Sequence, residues 1–431
     1  MQSNLTHTTL GDVCIKITDG AHASPKSVPY GKPMASVKDL TRFGININSA
    51  RHISLADYHA LVKQGCRPSV GDVLIAKDGN TALDTVCSIK TNYEVVLLSS
   101  VAILKPDPSK IDSDFLKYYL SSQDVISYLK STFISGAAIP RVILRAFKQA
   151  EIAIPNIAAQ KDIASILNAI DDKILNLTNT NRTLEAIAQT IFKSWFVNFD
   201  PVHAKQQGIA CSGIDAETAE LFPDSFEDSE LGLIPKGWHI STVGKIYKLT
   251  MGQSPAGVDL NTLGNGIEFY QGRTDFGFRY PIQRVFCVSP TRIAKEDDIL
   301  ISVRAPVGDV NVAMNECCIG RGVAAIRHPL SFQSFALYQV KQLKEMFKIY
   351  DGEGTVFGSI SKTDFENIKL IAPSPKLAEI FQRLISPIDD RIKLNENQIL
   401  DLSRIRDTLL PRLIGGKLDV SAIEAQLEET A

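Results

Sequence analysis

Two parts of the chain combine basic and amide side chains with nearby glycines, in segments that lie between strand-like runs. Arginine can pair with two hydrogen-bond acceptors of guanine, asparagine or glutamine with the acceptor and donor of adenine, and lysine with phosphate. Glycine beside such residues lets the backbone approach DNA closely. The residue types therefore predict contacts with double-stranded DNA, although each residue taken alone is also typical of a solvated surface.

The candidate DNA-binding residues form two groups, and each group lies within one part of the chain. The first consists of Lys26, Lys32, Arg42, Asn46, Asn48, Arg51, Lys77, Asn80 and Arg141. The second consists of Gln253, Ser254, Gln271, Arg273, Thr274, Arg279, Arg304, Arg321 and Lys362. Two groups on one chain predict two separate surfaces for reading DNA.

Residue patterns for catalysis or metal binding are missing from the sequence. It contains no Gly-rich loop that ends in Gly-Lys-Ser/Thr and no His-Glu-x-x-His. The Asn/Asp-Pro-Pro-aromatic signature of amino-methyltransferases is also missing, since Asp200-Pro201 lacks the second proline. We therefore predict no catalytic residue, no metal and no cofactor in this chain, although an acid-acid-Lys nuclease cluster is too loose a motif to exclude.

The formal net charge of −2 over 431 residues hides an alternation along the chain. Residues 1–150 carry 17 Lys and Arg against 12 Asp and Glu, and residues 236–375 carry 16 against 13. Residues 151–235 carry 5 against 13, and residues 376–431 carry 8 against 10. The basic excess typical of DNA-binding proteins is therefore confined to the parts that hold the candidate residues.

An internal repeat relates the two halves of the chain. Residues 136–174 align without gaps to residues 354–392, and the shared Ile-Asp-Asp stands at 170–172 and again at 388–390. Upstream the similarity continues with changes in loop length. A constant scaffold that carries variable loops is suited to recognition. Each globular part has more strand-like than helical segments, with one helix expected at 113–131 and one at 331–349, both starting at a serine suited to capping.

Two segments show the 3.5-residue period of a coiled coil. The first seam is Ile163, Leu167, Ile170, Ile174, Leu177, Asn181, Leu184, Ala188, Ile191 and Trp195. The second is Phe381, Ile385, Ile388, Ile392, Asn395, Ile399, Leu402, Arg406, Leu409 and Leu413. Each seam would extend over about 48 Å of helix. Two ordinary core helices in separate domains remain the alternative.

Antiparallel pairing with matched ends places Ile163 opposite Leu413 and Trp195 opposite Phe381. The same pairing brings together Asn181 and Asn395, the two asparagines of the seams. A buried Asn pair lowers stability but fixes register, because any slip leaves an unpaired amide in apolar surroundings. We predict this contact. Arg406 interrupts the second seam, either as an ordinary imperfection or because a partner subunit completes the packing.

These patterns predict an α+β fold with two mixed α/β modules, joined by two long antiparallel coiled-coil helices in a pseudo-two-fold internal repeat. We expect the following segments: a first module at 1–150, a first spacer helix at 151–200, a linker at 201–235, a second module at 236–373, a second spacer helix at 374–420 and a C-terminal tail at 421–431. The modules would lie at opposite ends of the helix pair.

The compartment is predicted from the absence of export and membrane signals. The first residues are polar, no apolar run approaches the ~20 residues of a membrane span, and the seven cysteines show no Cys-x-x-Cys spacing. Reduced thiols in a cytoplasmic protein without a membrane partner are therefore expected.

The chain resembles the specificity subunit of type I restriction–modification systems over nearly its whole length. The resemblance is carried by Ile191-Phe192-Lys193-Ser194-Trp195-Phe196-Val197-Asn198-Phe199-Asp200-Pro201-Val202, by the segments 221–226 and 231–238, and by Gly416-Lys417-Leu418-Asp419. Within the second module, 271–277 and 302–309 are similar to one subgroup of target recognition domains.

The resemblance implies that the modules are target recognition domains, each reading half of a bipartite DNA site. It implies that the helices set the gap and dock two methyltransferase subunits, which hold S-adenosylmethionine, while restriction/translocase subunits use ATP. The chain itself would be non-catalytic. A stand-alone tandem DNA-binding regulator and a coiled-coil protein scaffold remain alternatives, and a self-contained enzyme is the least favoured.

Overall fold

The computed structural model of the protein describes residues 5–135, 140–304, 306–350 and 358–416. The chain divides into two compact units. The first unit combines Met1–Thr178 with Asn397–Ala431, and the second unit is Asn179–Glu396. Each unit contains one module and a part of each long helix. The two groups of candidate residues therefore belong to different units.

The first module is built mainly of short strands. They are β1 (Thr6–Thr9), β2 (Cys14–Asp19), β3 (Lys32–Ala35), β4 (Leu40–Thr41), β5 (Gly44–Ile45), β6 (Arg51–Ile53), β7 (Val73–Ala76), β8 (Val86–Ser88), β9 (Val96–Leu97), β10 (Val101–Pro106), β11 (Ile134–Ser135), β12 (Arg141–Val142) and β13 (Glu151–Ile154). Its helices are α1 (Leu10–Val13), α2 (Leu55–Lys63), α3 (Ser113–Leu120), α4 (Gln123–Phe133) and α5 (Leu144–Phe147), and the long helix α6 (Ile157–Phe196) follows.

The second module and the segment before it also consist mostly of strands. They are β14 (Phe226–Ser229), β15 (Gly232–Pro235), β16 (His239–Thr242), β17 (Lys248–Met251), β18 (Leu260–Asn261), β19 (Ile267–Tyr270), β20 (Phe286–Cys287), β21 (Ile293–Ala294), β22 (Ile299–Val303), β23 (Val307–Val312), β24 (Cys317–Ile319), β25 (Val323–Arg327) and β26 (Lys369–Ala372). The helices are α7 (Asp200–Gln206), α8 (Ala216–Glu220), α9 (Val243–Ile246), α10 (Gln333–Gln342), α11 (Lys344–Phe347), α12 (Lys362–Glu366) and the long α13 (Pro375–Ile414).

The central sheets of the two units share one strand order. The four-stranded antiparallel sheet runs β2-β10-β7-β8 in the first unit and β17-β25-β22-β23 in the second. The apolar run of β7 serves two cores, because side chains alternate between the faces of a strand. Val73 and Ile75 pack into one apolar cluster, and Leu74 packs into another. In β22 the successive side chains of Ile299 and Leu300 likewise pack into two different apolar clusters.

A second sheet in each unit supports the loops that carry candidate residues. Its order is β6-β3-β9 in the first unit and β18-β20-β19-β24-β21 in the second. Strand β3 is parallel to β9, and β19 is parallel to β24. Parallel neighbours end at the same edge, so the loops after each pair of strands lie side by side.

The long helices begin later than the sequence predicted. Residues 151–154 form β13, which pairs with β1 and closes the first module; β26 pairs with β16 at the corresponding place in the second. Pro155 disfavours helix in the residue before it, and α6 begins at Ile157. Helix α13 begins with Pro375 and ends at Ile414 before two glycines. The expected extension to 420 and the 421–431 tail lie outside the described residues.

Three other expectations need correction. The segment 113–131 is not one helix, because α3 ends at Leu120 and α4 begins at Gln123. The residue capping α3 is Asp112, whose carboxylate accepts from two backbone N–H groups. The segment 331–349 is likewise divided into α10, which starts without a serine cap, and α11. The expected linker 201–235 folds as α7, α8 and the β14–β15 hairpin, with Val202 and Phe222 buried in the second unit's core.

The two long helices pack against each other inside each unit. In the second unit the rings of Trp195 and Phe381 are 6.0 Å apart, and Asn395 Nδ2 donates to Asn181 Oδ1 at 2.7 Å with both side chains fully buried. In the first unit Ile163 and Leu413 share one apolar cluster. These are the residues that the antiparallel alignment of the seams brings together.

Within the described ranges, no helix combines the length and the apolar character that a membrane span requires. The long helices instead carry charged and polar side chains along their exposed faces.

Candidate nucleic-acid interface

The second module contains a polar cleft of about 360 Å³ that gathers residues distant in sequence. We call it the arginine cleft. It is lined by Gln271, Gly272, Arg273, Thr274, Arg304, Pro306, Arg321 and Gly322. Five of the candidate residues of the second module therefore line one concave surface.

The wall of the arginine cleft at 271–274 is a tight turn at the end of β19. The residues after Gly272 form one turn of 3-10 helix, and the buried Asp275 carboxylate accepts from the backbone N–H of Gln271 at 2.7 Å and of Gly272 at 3.3 Å. These bonds hold the turn against the strand end. The outer face of the turn, with Arg273 and Thr274, remains exposed.

Glycines bring the opposite wall close. Strand β24 ends beside β19 and continues into Gly320-Arg321-Gly322. A Cβ atom at Gly322 would lie 2.4 Å from the Gln271 carbonyl oxygen, and one at Gly320 would lie 2.5 Å from Gln271 Oε1. A side chain at Gly322 would therefore push the two walls apart, whereas one at Gly320 would displace the Gln271 side chain. Between the glycines, the Arg321 side chain is exposed.

The arginines of the cleft differ in how they are held. Arg273 Nε pairs with Asp309 Oδ2 at 2.6 Å, which orients its guanidinium while leaving the side chain 59% exposed. Arg304 and Arg321 are exposed and make no ion pair with any residue that the structure describes. Such guanidinium groups can donate to guanine acceptors or to phosphates.

The other candidates of the second module divide into neighbours of the cleft and residues away from it. Ser254 donates to Gln271 Oε1 at 3.1 Å, and exposed Gln253 precedes it. Lys362 lies on α12 in a long 3.5 Å pair with Glu366. The expectation that Arg279 contacts DNA needs correction, because its side chain is only 2% exposed and binds carboxylates inside the unit.

Five candidates of the first module have solvent-exposed side chains. Lys26, Asn46, Asn48 and Asn80 are exposed. Arg141 is 63% exposed, and its Nε pairs with Asp78 Oδ1 at 3.1 Å. The structure does not gather these five residues around one cleft of the kind found in the second module.

Four other candidates of the first module serve the fold. Lys77 is buried and pairs with Asp19 at 2.5 Å. Arg51 donates to the Pro25 carbonyl oxygen at 2.6 Å and to the hydroxyls of two loop serines. Lys32 pairs with Glu94. The Arg42 Nε donates to the Asp171 carboxylate at 3.2 Å, so this side chain faces the long helix.

Asp171 of α6 is the centre of a buried charge cluster in the first unit. Its carboxylate accepts from Lys117 at 2.8 Å, Tyr118 at 2.9 Å and Arg406 at 3.0 Å, besides Arg42. Burial alone would raise the pKa of Asp171, but the Lys117 and Arg42 cations outweigh it and lower this pKa to about 2. The charged residue in the second seam is thereby explained, because Arg406 ties α13 to α6.

The second unit has a cluster at the corresponding place, with a different balance of charge. Arg279 pairs with Glu185 of α6 and, at 3.1 Å, with Asp389 of α13. Lys341 also pairs with Glu185, and Tyr338 donates to Asp389 at 2.9 Å. Burial raises the pKa of Asp389 despite Arg279, whereas the two cations outweigh burial and lower the pKa of Glu185. The cluster joins the module to both helices.

The sequence reasoning missed the structural glycines of the cleft and Pro306. The signal that could have found them is the Gly-Arg-Gly at 320–322, since a basic residue between two glycines after a buried strand indicates a close backbone approach. Across the described ranges, no three His, Cys, Asp or Glu side chains come together as a metal site. The seven cysteines are all free thiols in the structure.

Comparisons with known proteins agree with this architecture. The proposed MjaX specificity subunit of a type I restriction enzyme from Methanocaldococcus jannaschii is 27% identical over 420 residues, covering 95% of this chain and 93% of the relative. The HindI specificity subunit from Haemophilus influenzae is 25% identical over 400 residues, covering 81% and 86%. The solved type I restriction–modification S subunit from M. genitalium shares the fold, with a TM-score of 0.55 at 18% identity and 96% coverage of both chains.

The family model for the type I restriction modification DNA specificity domain matches residues 5–186 and 286–404 of this chain. The matched residues include most of both modules and most of both long helices. The protein therefore belongs to the family of type I restriction–modification specificity subunits.

Proposed function

We propose that this chain recognises a bipartite double-stranded DNA target, with each module reading one half. The arginine cleft is the observation that carries the proposal. It presents Arg304 and Arg321, which make no ion pair with any residue that the structure describes, opposite a turn that carries an amide and a hydroxyl and is held by the buried Asp275. Arginine in such a site suits guanine or phosphate, and the narrow glycine-lined wall lets the backbone lie close to DNA.

The long helices are proposed to set the distance between the two half-sites as an antiparallel coiled coil with pseudo-two-fold symmetry. The contact between Asn181 and Asn395 would fix the register of the two helices, because a shift by one heptad would break the hydrogen bond between these buried amides. A fixed register keeps the helical spacer constant when recognition loops vary.

The proposal includes partners that supply the chemistry. Two methyltransferase subunits would dock on the helices and hold S-adenosylmethionine, and restriction/translocase subunits would use ATP. This chain would contribute recognition and assembly without catalysis, in the cytoplasm. The support is membership of the family together with the lack of catalytic motifs in the sequence.

Methylome mapping tests the function. The chain is co-expressed with its cognate methyltransferase in a host that lacks other adenine methylation, and a methylated motif in two parts with a constant gap is expected. Arg304→Ala and Arg321→Ala should relax one half of the motif only. Each lost bidentate base contact should reduce discrimination by about 5- to 150-fold. Lys245→Ala, which removes an exposed cation on α9, is the matched control.

Other results would contradict the proposal. A soluble complex that adds no methylation would exclude the methyltransferase role and would favour a regulator that binds DNA alone. An affinity for DNA that does not fall with salt would favour a protein scaffold, because phosphate contacts release counterions. Equal loss at both half-sites in the Arg321→Ala variant would exclude the assignment of one half-site to each module.

A further inference from the structure

The reading surface of the first module can be located by backbone equivalence with the arginine cleft. In each unit a glycine follows the first strand of the central sheet, and its N–H donates to a valine of the adjacent strand: Gly20 to Val101 at 3.1 Å and Gly252 to Val323 at 2.9 Å. The backbone N–H of each valine donates across a tight turn to the carbonyl oxygen three residues earlier, that of Leu98 or Gly320, at 3.0 Å in both cases. Ser99 therefore occupies the position of Arg321.

The turn that forms the other wall also has an equivalent. Asp39 N donates to the Ser36 carbonyl oxygen at 3.0 Å, as Asp275 N does to Gly272 at 3.1 Å. The Asp39 carboxylate is buried and accepts from Ser36 N at 2.8 Å, which repeats the role of Asp275. Val37 and Lys38 thus occupy the positions of Arg273 and Thr274. Lys38 is exposed.

A third correspondence identifies the residue of the first module that is equivalent to Arg304. Lys77 N donates to Ser100 O at 2.8 Å, and Val303 N donates to Gly322 O at 2.9 Å. The next residues form matching isolated bridges, Asp78 with Arg141 and Arg304 with Ser359. Arg141 and Ser359 are separated by the same 218 residues as the sequence repeat. Asp78 therefore occupies the position of Arg304.

Equivalent positions carry different chemistry in the two modules. The three arginines of the cleft are replaced by an apolar residue at 37, an acid at 78 and a hydroxyl at 99. Positive charge enters instead from Lys38 and Arg141. Among the residues that the structure describes, Arg141 binds a side chain only through Nε, which donates to Asp78 Oδ1 at 3.1 Å, so the two terminal nitrogens of the guanidinium can act as a donor fork.

We propose that the first module reads its half-site with Lys38, Ser99 and Arg141, and that Asp78 is a positioning residue that orients the Arg141 guanidinium. This inference rests on the proposed function. It replaces Arg42, Arg51 and Lys77, which the structure uses internally, with the exposed Lys38 and Arg141 and the half-buried Ser99, at the place where the second module has its cleft. Arg141 supplies base-edge contact through its donor fork, and Lys38 contacts phosphate.

The test uses the full chain in complex with its methyltransferase, and DNA duplexes in which one half-site is altered at a time. Arg141→Ala should lower discrimination at one base pair of the first half-site by about 5- to 150-fold. Lys38→Ala should weaken binding to all sequences alike and reduce the salt slope by about one. Lys63→Ala, an exposed lysine at the end of α2, is the matched control.

The role of Asp78 has its own readout. Asp78→Asn keeps an oxygen that can accept from Arg141 Nε, so it should retain most of the base preference, whereas Asp78→Ala should lose it. A merely structural role would lower both half-site preferences or the melting temperature in both variants and would overturn the positioning assignment.

The Arg321→Ala variant is included in the same experiment, because it separates an error in the inferred location from an error in the proposed function. If Arg321→Ala relaxes the second half-site while Arg141→Ala and Lys38→Ala leave recognition of the first unchanged, the location inferred for the first module is wrong and the function stands. If the unchanged complex recognises no bipartite site, the proposed function itself is wrong.

Discussion

The buried amide contact between the long helices allows a quantitative test. Asn395 Nδ2 donates to Asn181 Oδ1 at 2.7 Å, and Asn181 Nδ2 donates to Glu396 Oε1 at 2.7 Å. Asn395 Oδ1 is buried without a partner among the residues that the structure describes. Asn181→Leu therefore removes two hydrogen bonds and leaves the Asn395 amide with none, whereas Asn395→Leu removes one.

The expected free energies follow from that asymmetry. A buried polar group that loses its partner costs about 1–3 kcal/mol, while replacing both partners by apolar groups of similar shape is nearly neutral. Asn181→Leu should lower the free energy of unfolding by about 3 kcal/mol and Asn395→Leu by about 1 kcal/mol. The double variant still leaves Glu396 without its Asn181 donor and should be about 1 kcal/mol less stable than the unchanged protein, which gives a coupling of about 3 kcal/mol.

Urea unfolding followed by tryptophan fluorescence suits this test. The chain has 2 tryptophans, and both Trp195 and Trp238 are buried in the second unit, which also contains the amide pair. Asn179→Leu, an exposed asparagine on the same helix, is the control and should change stability by less than about 0.5 kcal/mol. The reasoning is refuted if the two single effects add to the double effect within about 0.5 kcal/mol.

Three further outcomes are expected. Arg279→Met leaves Glu185 and Asp389 buried without their shared cation and should destabilise the second unit by about 3–5 kcal/mol in the same fluorescence assay. The low pKa of Asp171, about 2, stabilises the first unit above pH ~4, and about 2 kcal/mol should be lost as the pH falls toward 2; thermal unfolding by circular dichroism should show this loss in the unchanged protein and not in Asp171→Asn. Cys211 is the one cysteine that is not buried, so a thiol reagent should modify it fast and the other cysteines only after unfolding.

Periodic patterns allowed the helical part of the fold to be predicted from the sequence. A 3.5-residue repeat is a local property, and matching the ends of two such repeats was enough to identify the contact between Asn181 and Asn395. The boundaries were less accurate, because strand β13 at 151–154 depends on pairing with β1, almost the whole module away in sequence. Local propensity carries no information about such a partner.

The candidate site was predictable in the second module and much less so in the first. Arg321 stands between two glycines and Arg304 stands two residues before Pro306, and that context predicts exposed turns. Arg279 has the same residue type and lies only six residues after Arg273, yet it is buried because Glu185, distant in sequence, provides its partner. Lys38 was not selected although it lies between the candidates Lys32 and Arg42, and Ser99 lies away from the other candidates. Only the backbone hydrogen bonds show that both are equivalent to residues of the cleft.

The buried charge clusters limit how modules can be exchanged between the two units. In the first unit one carboxylate of α6, Asp171, meets three cations, two from the module and Arg406 from α13. In the second unit two carboxylates, Glu185 and Asp389, meet two cations that both come from the module.

If the second module were grafted onto the first unit, Lys341 would meet Ser403, the residue that corresponds to Glu185 by the 218-residue repeat. Lys341 would then lack a carboxylate partner at that position. The graft would also confront Arg279 with Arg406 across a single Asp171. Unpaired buried cations cost several kcal/mol each. Loops can therefore vary freely at the cleft positions, but a whole module must be exchanged together with the helix residues that neutralise it.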